Sequence, residues 1–393
     1  MMVAHQYGIT DFEYIAAGAA ILASGGGGSY EDAVSILSEI AKSGWRGTVT
    51  VQDYDGVTDC CVLAIMGSPD AANQMTLAEI EYAIANTLNT FKSSVDVMPG
   101  CIIPVEIGPI NSIVPLIAAM MERRLWVMNG DGAGRAVPEL PQTTYAGNVN
   151  LPATLCVLAN SAENDALLQS AVLNAPTAAV TETLAGGIVS AFGSYSGIAL
   201  WPSNVANGHA LQGSYISGTL TQAWQIGQYL ITAPALPSTA DVVAKINTVT
   251  RRQTIAIITN FYITAVTQST SSTSLDVGLI RLDNAPSQAD GTESYYLYNL
   301  NENLIMYSSV SNAPLIVAPD SICYYSESTG RGFSNAICDL AVYFDFSNAT
   351  STGKVISIIK VAAAPQLCEA AGVIESFAGL LRGIGYAGKL PRS

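Results

Sequence analysis

Hydrophobic residues near the N-terminus recur at helical spacing up to a run of glycines. Ile15, Ala19 and Leu22 lie about one helical turn apart, and Thr10 followed by Glu13 predicts a capping box at the start of this helix. The glycine run at 25–28 interrupts the pattern and therefore ends the helix.

Two further helices are predicted from their caps. Ser29, with Asp32 three residues later, begins a second helix that ends near Gly44. Thr76 and Glu79 form another capping box, so we expect a third helix from there to about residue 91.

Short apolar runs predict buried strands that alternate with these helices, at 48–51, 60–66, 102–107, 125–128 and 153–159. After the third run, Gly108 and Pro109 turn the chain, and Asn111 can cap a helix that extends to about Arg124. A strand, a helix and a strand joined by short connections are parallel and right-handed. Residues 106–111 and 129–135 are therefore expected on one rim of the sheet.

The C-terminal half has a different pattern. Helices are expected near 164–174 and at 219–231. Beyond Pro237, strands are expected at 254–266, 294–300 and 315–317, with 268–274 a loop or hairpin end. The length of 393 residues corresponds to about two domains. We predict an α/β domain (1–237) whose mixed or parallel sheet has flanking helices, a β-rich second domain (238–362), and a C-terminal segment (363–393) that packs back on the first.

Composition narrows the classes of function. Apolar residues make up 49% of the chain and charged residues only 12%, which excludes general disorder. The net charge of −15 argues against a nucleic-acid partner held by a basic face. No apolar run is long enough to span a bilayer and no signal peptide is recognised, so a cytoplasmic location is expected.

Cysteine, histidine and charge content bear on metals and partners. Seven cysteines without a C-x-x-C pair argue against a disulfide framework or zinc finger, and His5 and His209 are too few for a His-rich metal site. His209 is either a general acid or base, or a structural histidine. A surface with few charges is poorly protected against association, so we expect a homo-oligomer or larger assembly; the alternative is a neutral, polar monomer.

The glycine run, Gly25, Gly26, Gly27 and Gly28, is the first candidate ligand site. Backbone N–H groups at the start of the following helix favour an anion. A dinucleotide fingerprint needs a strand before the glycines, whereas here a helix precedes them, and the lysine of a P-loop is missing. The run either contacts ligand or forms a tight helix–helix turn with positive φ.

The segment 127–140, VMNGDGAGRAVPEL, is the second candidate. Ligands of open α/β sheets bind outside the carboxyl ends of the strands, so Asn129, Asp131, Arg135 and Glu139 are candidate catalytic or ligand-binding residues. Asp131 can be a catalytic base and Arg135 a substrate clamp, or the two can form an ion pair that orders the loop.

Glu106 lies in an otherwise apolar run at the end of a predicted strand. It either pairs with Arg135 or has a shifted pKa and carries out proton chemistry. Asn111 is a helix cap or a ligand contact. Glu106, Asp131 or Glu139 are candidate ligands of a divalent metal, and no other cofactor is indicated.

Six segments, in this order, resemble the S-methyl thiohydantoin desulfurase-like family, whose members are often found beside hydantoinase proteins. They are ILASGGGGSY, VEIGPINS, NGDGAGRAVPELPQTT, ALQGSYISGTLTQAWQIG, NLNENL and PDSICYYSESTG. The resemblance covers about residues 10–390, and its specific part is GDGAGRAVPEL together with the glycine run. Pro109 stands where the family usually has glycine.

The resemblance implies a two-domain protein that acts on a small-molecule substrate in hydantoin metabolism. Water would attack the sulfur-bearing carbon of a thiohydantoin or related cyclic ureide ring. Glu106 or Asp131 would be the base, while Arg135, Asn111 and the glycine N–H groups would hold substrate and negative charge. The alternatives are a self-assembling structural protein with a decayed site and a non-catalytic ligand-binding module.

Overall fold

The computed structural model describes residues 4–67, 75–95, 97–193, 195–270 and 275–390. Its α-helices are α1 (Ile9–Leu22), α2 (Tyr30–Lys42), α3 (Leu77–Ser94), α4 (Val114–Met121), α5 (Ala178–Ala191), α6 (Thr219–Thr232), α7 (Thr239–Thr250), α8 (Ile337–Leu340), α9 (Pro365–Glu369) and α10 (Val373–Gly383). Short 3-10 helices cover Leu140–Gln142 and Val205–Asn207.

The strands belong to two large sheets and two small pairs. The first sheet contains β1 (His5–Tyr7), β2 (Val49–Gln52), β3 (Cys60–Gly67), β4 (Cys101–Pro104), β5 (Trp126–Met128), β7 (Cys156–Ala159), β8 (Ser170–Leu173) and β9 (Tyr195–Ser203). The second contains β11 (Thr254–Thr270), β12 (Asp276–Asp283), β13 (Ser294–Leu300), β14 (Glu302–Ser308), β15 (Ile316–Val317), β16 (Ser321–Tyr325) and β19 (Ile356–Val361). The pairs are β6 (Gly130–Asp131) with β10 (Ile216–Ser217), and β17 (Phe344–Asp345) with β18 (Thr350–Ser351).

The first sheet is mixed, as the sequence predicts, in the order β1-β2-β5-β4-β3-β9-β7-β8. Strands β2, β5, β4 and β3 are parallel neighbours, while β1, β9, β7 and β8 pair antiparallel. The predicted unit of β4, α4 and β5 is confirmed, with Cys101 opposite Trp126. The second sheet, in the order β15-β14-β13-β12-β11-β19-β16, is antiparallel and confirms the β-rich region.

One hydrophobic core joins the two sheets. Buried side chains of α1 to α4 and α6 cluster with Cys323, Ile359 and Val361 of the second sheet. Helices α1 and α6 are in backbone contact, because a Cβ on Gly18 would lie 1.9 Å from the Ala223 carbonyl oxygen. This tight packing holds α1, and the glycine run that follows it, in a fixed position between the sheets.

The predicted cap of α1 is wrong. The helix begins at Ile9, before Thr10, and the Gly8 N–H donates to Asp11 Oδ2 over 2.8 Å. Asp11 therefore fills the position that the sequence pattern assigns to Glu13. The predicted caps of α2 and α3 are confirmed, with Ser29 and Thr76 each accepting from the N–H three residues later.

Two other predicted elements are wrong. Helix α4 begins at Val114 rather than after Asn111, because the Asn111 side chain bonds to other groups instead of capping. The helix expected near 164–174 is replaced by β8, whose Leu173 pairs with Cys156, and the helix follows at Ala178–Ala191. Strand pairing with β7 decides this segment, which local spacing does not reveal.

Parts of two predicted turns lie outside the described residues, namely 68–69 after β3 and 271–274 after β11; residues 268–270 belong to β11. Within the described ranges, no helix is long and apolar enough to cross a membrane. No disulfide joins any of the seven cysteines, all of which fall in those ranges. Phe377 and Leu381 of α10 belong to one buried hydrophobic cluster with Val137 and Leu304, so the C-terminal segment packs with residues from both halves of the chain.

Candidate functional site

The glycine run forms the turn between α1 and α2 and bridges the two sheets. The Gly27 carbonyl oxygen accepts from the Ile110 N–H over 3.0 Å, at the rim of the first sheet. Just before the run, the Ser24 carbonyl accepts from the Asn303 N–H of β14 over 2.8 Å. The run therefore fixes the rim of the first sheet relative to the start of β14.

Close approach and backbone conformation both require glycine here. Gly25, Gly27 and Gly28 have φ values of +84°, +70° and +92°, which side chains rarely adopt. A Cβ on Gly26 would lie 1.8 Å from Glu302 Oε1. The tight-turn interpretation is thus realised, and Gly27 and Gly28 also line a cavity.

The anion expected at the start of α2 is a side chain of the protein itself. Asp339, which is 1% exposed, accepts from Ser29 Oγ over 2.8 Å and from the Tyr30 and Glu31 N–H groups over 3.0 Å each. These bonds satisfy the first free N–H groups of the helix.

A cavity of about 110 Å³ opens where the carboxyl ends of β3 and β4 meet α5 and the start of β14. Its apolar lining includes Ala64, Ile65, Val105, Leu140, Val189 and Ile198. Its acidic lining consists of Glu106, Glu139, Glu182 and Glu302. The structure thus places a cavity outside the strand ends, where open α/β sheets bind ligands.

Both oxygens of Glu106, an acid of this cavity, have hydrogen-bond donors. Its Oε2 accepts from the Val137 N–H over 2.7 Å, and its Oε1 accepts from Asn111 Nδ2 over 2.9 Å. Asn111 Oδ1 in turn accepts from the Ile65 N–H of β3 over 3.2 Å. Burial raises the pKa of Glu106 to about 7; these hydrogen bonds and Arg135 oppose the rise, whereas the charge of Asp131 adds to it.

Glu302 faces Glu106 across the boundary between the two halves of the chain. It is 3% exposed, and no hydrogen-bond partner within the described part of the chain reaches its Oε2. Burial raises its pKa well above the ordinary value and the charge of Glu106 adds to the rise, while Arg135 and the Gly27 N–H oppose it.

Glu182 and Glu139 complete the acidic lining. Glu182 projects from α5, and its Oε2 accepts from the Leu140 N–H over 2.9 Å. Burial raises the pKa of Glu182 to about 7, and the charges of Glu139 and Glu106 add to the rise. Glu139 Oε2 accepts from Gln142 Nε2 over 3.3 Å, across the 3-10 turn.

Asp131 and Arg135 are buried beside this cavity rather than in its lining. Asp131 Oδ2 accepts from the Ala133 and Gly134 N–H groups over 2.9 and 2.8 Å. Burial raises its pKa to about 6, and these bonds oppose the rise. The sequence analysis expects Glu106, Asp131 and Arg135 around one cavity. In the structure, only Glu106 of these three lines it.

The Arg135 guanidinium binds backbone carbonyls instead of an acid. It donates from Nε to Ala136, from a terminal nitrogen to Pro319 and Asp320, and from the other to Asn303, over 2.8–3.1 Å. Neither sequence-based alternative, the substrate clamp or the pair with Asp131, describes these bonds. The residue ties the 127–140 segment to the second sheet.

The remaining predicted site residues are not part of the cavity lining. Asn129 Oδ1 accepts from the N–H and Oγ1 of Thr221, at the start of α6. His209 forms an isolated bridge with Asn204, its N–H donating to the Asn204 carbonyl over 3.0 Å. Gly25 and Gly26 contact the second sheet, so the cavity includes only Gly27, Gly28, Asn111, Glu106 and Glu139 of the predicted set.

Two points remain about the acidic side chains: whether they are grouped to bind a metal, and which of them the sequence analysis did not identify. Among the described residues, no group of three or more acidic, histidine or cysteine side chains is placed so that it could hold a metal ion. A divalent metal bound by Glu106, Asp131 or Glu139 stays a prediction. Sequence reasoning missed Glu302 and Glu182. The isolated charge in NLNENL was a usable signal for Glu302, whereas a single acid on α5 has none.

The whole chain has a structural relative. It superimposes on the X-ray crystal structure of a protein from Chromobacterium violaceum, a structural genomics target, with a TM-score of 0.80 and 25% sequence identity. The match covers 98% of this chain and 99% of the other. No curated protein matches the sequence.

Family comparison accounts for both halves of the chain. Residues 10–170 match the N-terminal domain of the S-Me-THD-like family, and residues 176–343 match its C-terminal domain. The two matches occur in the family's order and span the glycine run, the 127–140 segment and β14. The chain therefore belongs to the S-Me-THD-like family, as its sequence motifs indicate.

Proposed function

We propose that the protein removes sulfur hydrolytically from a thiohydantoin-like or related cyclic ureide ring. Membership of the S-Me-THD-like family supports thiohydantoin desulfurase-like chemistry. The cavity at the strand ends supports a small, flat substrate, because apolar side chains cover its walls and acids provide its polar contacts.

The observation that carries this proposal is the geometry of Glu106. Val137 and Asn111 hold both of its oxygens in the cavity, so the carboxylate has a fixed orientation. Its pKa of about 7 leaves much of it ionised near neutral pH and still able to accept a proton. These are the properties required of a general base that activates water.

The reaction needs only water as co-reactant. Glu106 accepts a proton as the water oxygen bonds to the ring carbon that bears sulfur. During attack the π electrons of the C=N bond, or of the C=S bond in a thione, move to nitrogen or to sulfur. The carbon–sulfur bond then breaks, its electron pair leaves with sulfur, and Glu106 returns its proton to that sulfur. The second water proton leaves the oxygen as the ring carbonyl forms, and it ends on the ring nitrogen of an S-alkyl substrate or on the sulfur of a thione. The products are the ring carbonyl and a thiol, or hydrogen sulfide when the substrate is a thione. Arg135 contributes by positioning the segment that contains Val137.

The test is release of thiol or sulfide from a panel of thiohydantoins, with and without added divalent metals. Glu106→Gln keeps the shape but cannot accept the proton, so activity is expected to fall about 10²–10⁴-fold. Glu163→Gln, on the exposed loop before β8, is the matched control and is expected to keep full activity. Wild-type activity should rise with pH through about 7 as Glu106 ionises.

Retention of activity by Glu106→Gln, or a rate that is flat through that pH range, contradicts the assignment of the base. Absence of sulfur release across the panel contradicts the proposed reaction itself. These two results are separate, because the first leaves an active enzyme whose base is another residue.

A second candidate function, self-assembly, is supported by one surface. Strand β8 is an edge of the first sheet, and the adjacent Leu167, Val172, Val180 and Leu184 are 36% or more exposed. An exposed apolar edge strand is a template for pairing with a second copy of the chain. Light scattering of the wild type and of Val172→Lys tests this: a dimer or larger particle lost in the variant supports it, and a wild-type monomer refutes it.

A further inference from the structure

The charge of the cavity is entirely acidic. Glu106, Glu139, Glu182 and Glu302 line it, and the described lining contains no lysine, arginine or histidine. The enclosing walls are largely apolar, and a low-dielectric surrounding strengthens the field of the acids. Burial raises the pKa values of Glu106, Glu182 and Glu302, so these acids are partly protonated in the empty cavity, and a cation that enters favours their ionised form.

Two buried arginines, Arg135 and Arg252, lie outside the cavity lining. Arg135 lowers the pKa values of Glu106 and Glu302 through its charge, but its hydrogen bonds go to backbone carbonyls. Arg252 donates to the Gly134 carbonyl over 3.0 Å. Neither guanidinium lines the cavity, so neither can neutralise the acids by direct contact.

Among the acids of the cavity lining, Glu302 has a buried oxygen without a hydrogen-bond donor from the described residues. Glu302 Oε1 lies against Gly26, and the Gly27 N–H is directed at this carboxylate, but Oε2 is buried without a hydrogen-bond partner in the described structure. A buried unpartnered carboxylate oxygen is costly, and a ligand N–H in the cavity removes that cost. Acidity and the free acceptor thus point to the same kind of ligand.

We propose that the cavity binds a ring in its protonated, cationic form, so that cyclic amidines and guanidines are ligands as well as the protonated form of a thiohydantoin alkylated on sulfur. This rests on the proposed function only through the use of the same cavity. A thiohydantoin alkylated on sulfur is a cyclic isothiourea, and its ring nitrogen accepts a proton. The resulting N–H faces Glu302, and the positive charge makes the sulfur-bearing carbon more open to attack by water.

The same charge explains how product leaves. After sulfur is replaced by oxygen, the ring is a neutral urea whose nitrogens are no longer basic. The acidic lining then loses its cationic partner, and the product is held less tightly than the substrate. Selective binding of the protonated ring thus favours both the attack by water on the substrate and the release of the neutral product.

Calorimetry with two ligands of the same ring size tests the inference on the full chain. 2-Aminoimidazoline is a cation at neutral pH, and imidazolidin-2-one is its neutral urea counterpart. We expect the cation to bind at least about tenfold more tightly, and Glu302→Gln to reduce that preference about tenfold, because the amide cannot ionise to form a charged hydrogen bond with the cation. Glu163→Gln should leave the preference unchanged.

Equal or weaker binding of the cation, or no binding of either ligand at millimolar concentration, overturns the inference. If Glu302→Gln folds and still prefers the cation to the same extent, the role of Glu302 is overturned. If this variant does not fold, Glu182→Gln removes another acid of the lining and must lower the preference for the cation instead. Binding is read without turnover, so cation preference in a protein that releases no sulfur refutes the proposed reaction alone. Sulfur release without cation preference refutes this inference alone.

Discussion

Replacing Asp131 by asparagine separates a buried charge from the backbone bonds that surround it. Asp131 is completely buried, and its Oδ2 accepts from Ala133 and Gly134. An asparagine oxygen can accept the same two bonds. The substitution therefore removes the ionisation and keeps the turn.

The expected magnitude follows from the pKa. Burial raises the pKa of Asp131 from 3.8 to about 6, so the folded protein binds this proton more tightly than the unfolded chain does. Folding takes up a proton between these two pH values, and stability is lost as the pH rises through that window. About two pH units correspond to about 3 kcal/mol. Asp131→Asn has no carboxyl group at this position, so its stability does not fall through this pH window for that reason.

The assay is urea unfolding of wild type and variant at about pH 4 and about pH 7, followed by tryptophan fluorescence. The stability difference, variant minus wild type, should rise by about 3 kcal/mol from the lower to the higher pH. Any constant cost of the new amide cancels in this comparison. Asp290→Asn, on an exposed loop, removes the same charge and reports the effect of net charge alone.

A difference that stays constant with pH, or falls, refutes the reasoning, since the buried carboxylate would then not be costly in the folded state. Thiol release by Asp131→Asn provides an independent reading. Because Asp131 does not line the cavity, we expect activity to be retained; loss of activity in a folded variant would restore its sequence-based assignment as a catalytic base.

Two further predictions concern the glycine run and the helix after it. Gly26→Ala places a methyl group 1.8 Å from Glu302 Oε1, so we expect the thermal unfolding midpoint to fall by several degrees and ligand binding to weaken. The control is Gly187→Ala on α5, where the added methyl group has open space. It should raise the free energy of unfolding by up to about 1 kcal/mol. Equal behaviour of the two variants would contradict the steric role of the run. Asp339→Asn replaces a carboxylate that accepts from N–H groups at the start of α2 by an amide that is partly a donor. The free energy of unfolding should therefore fall by about 2–3 kcal/mol. An unchanged urea midpoint would show that these hydrogen bonds add little to stability.

The site depends on contacts between residues that are far apart in the chain. Glu106 and Asn111 come from the rim of the first sheet, whereas Glu302 comes from the start of β14. The glycine run and Arg135 tie these parts together through backbone hydrogen bonds. Neither half of the chain contains a complete cavity, which is consistent with family matches that span both.

Local patterns determined much of the fold. Capping residues located α2 and α3, because Ser29 and Thr76 act on N–H groups three residues away. Apolar runs located β3 and β4, since parallel strands buried on both faces need continuous hydrophobic residues. The rule for strand, helix, strand units also put Glu106 at the correct rim of the sheet.

Only the tertiary structure decided which rim residues face the cavity. In the sequence, Asp131 and Arg135 are candidates for the same chemistry as Glu106. In the structure, the turn at 131–134 binds Asp131 Oδ2, and backbone carbonyls bind the Arg135 guanidinium. Glu302 enters the site because Ser24 pairs with the adjacent Asn303, a contact between distant parts of the chain. Spacing along a chain fixes local geometry, whereas burial, charge and partnership of a side chain depend on what folds against it.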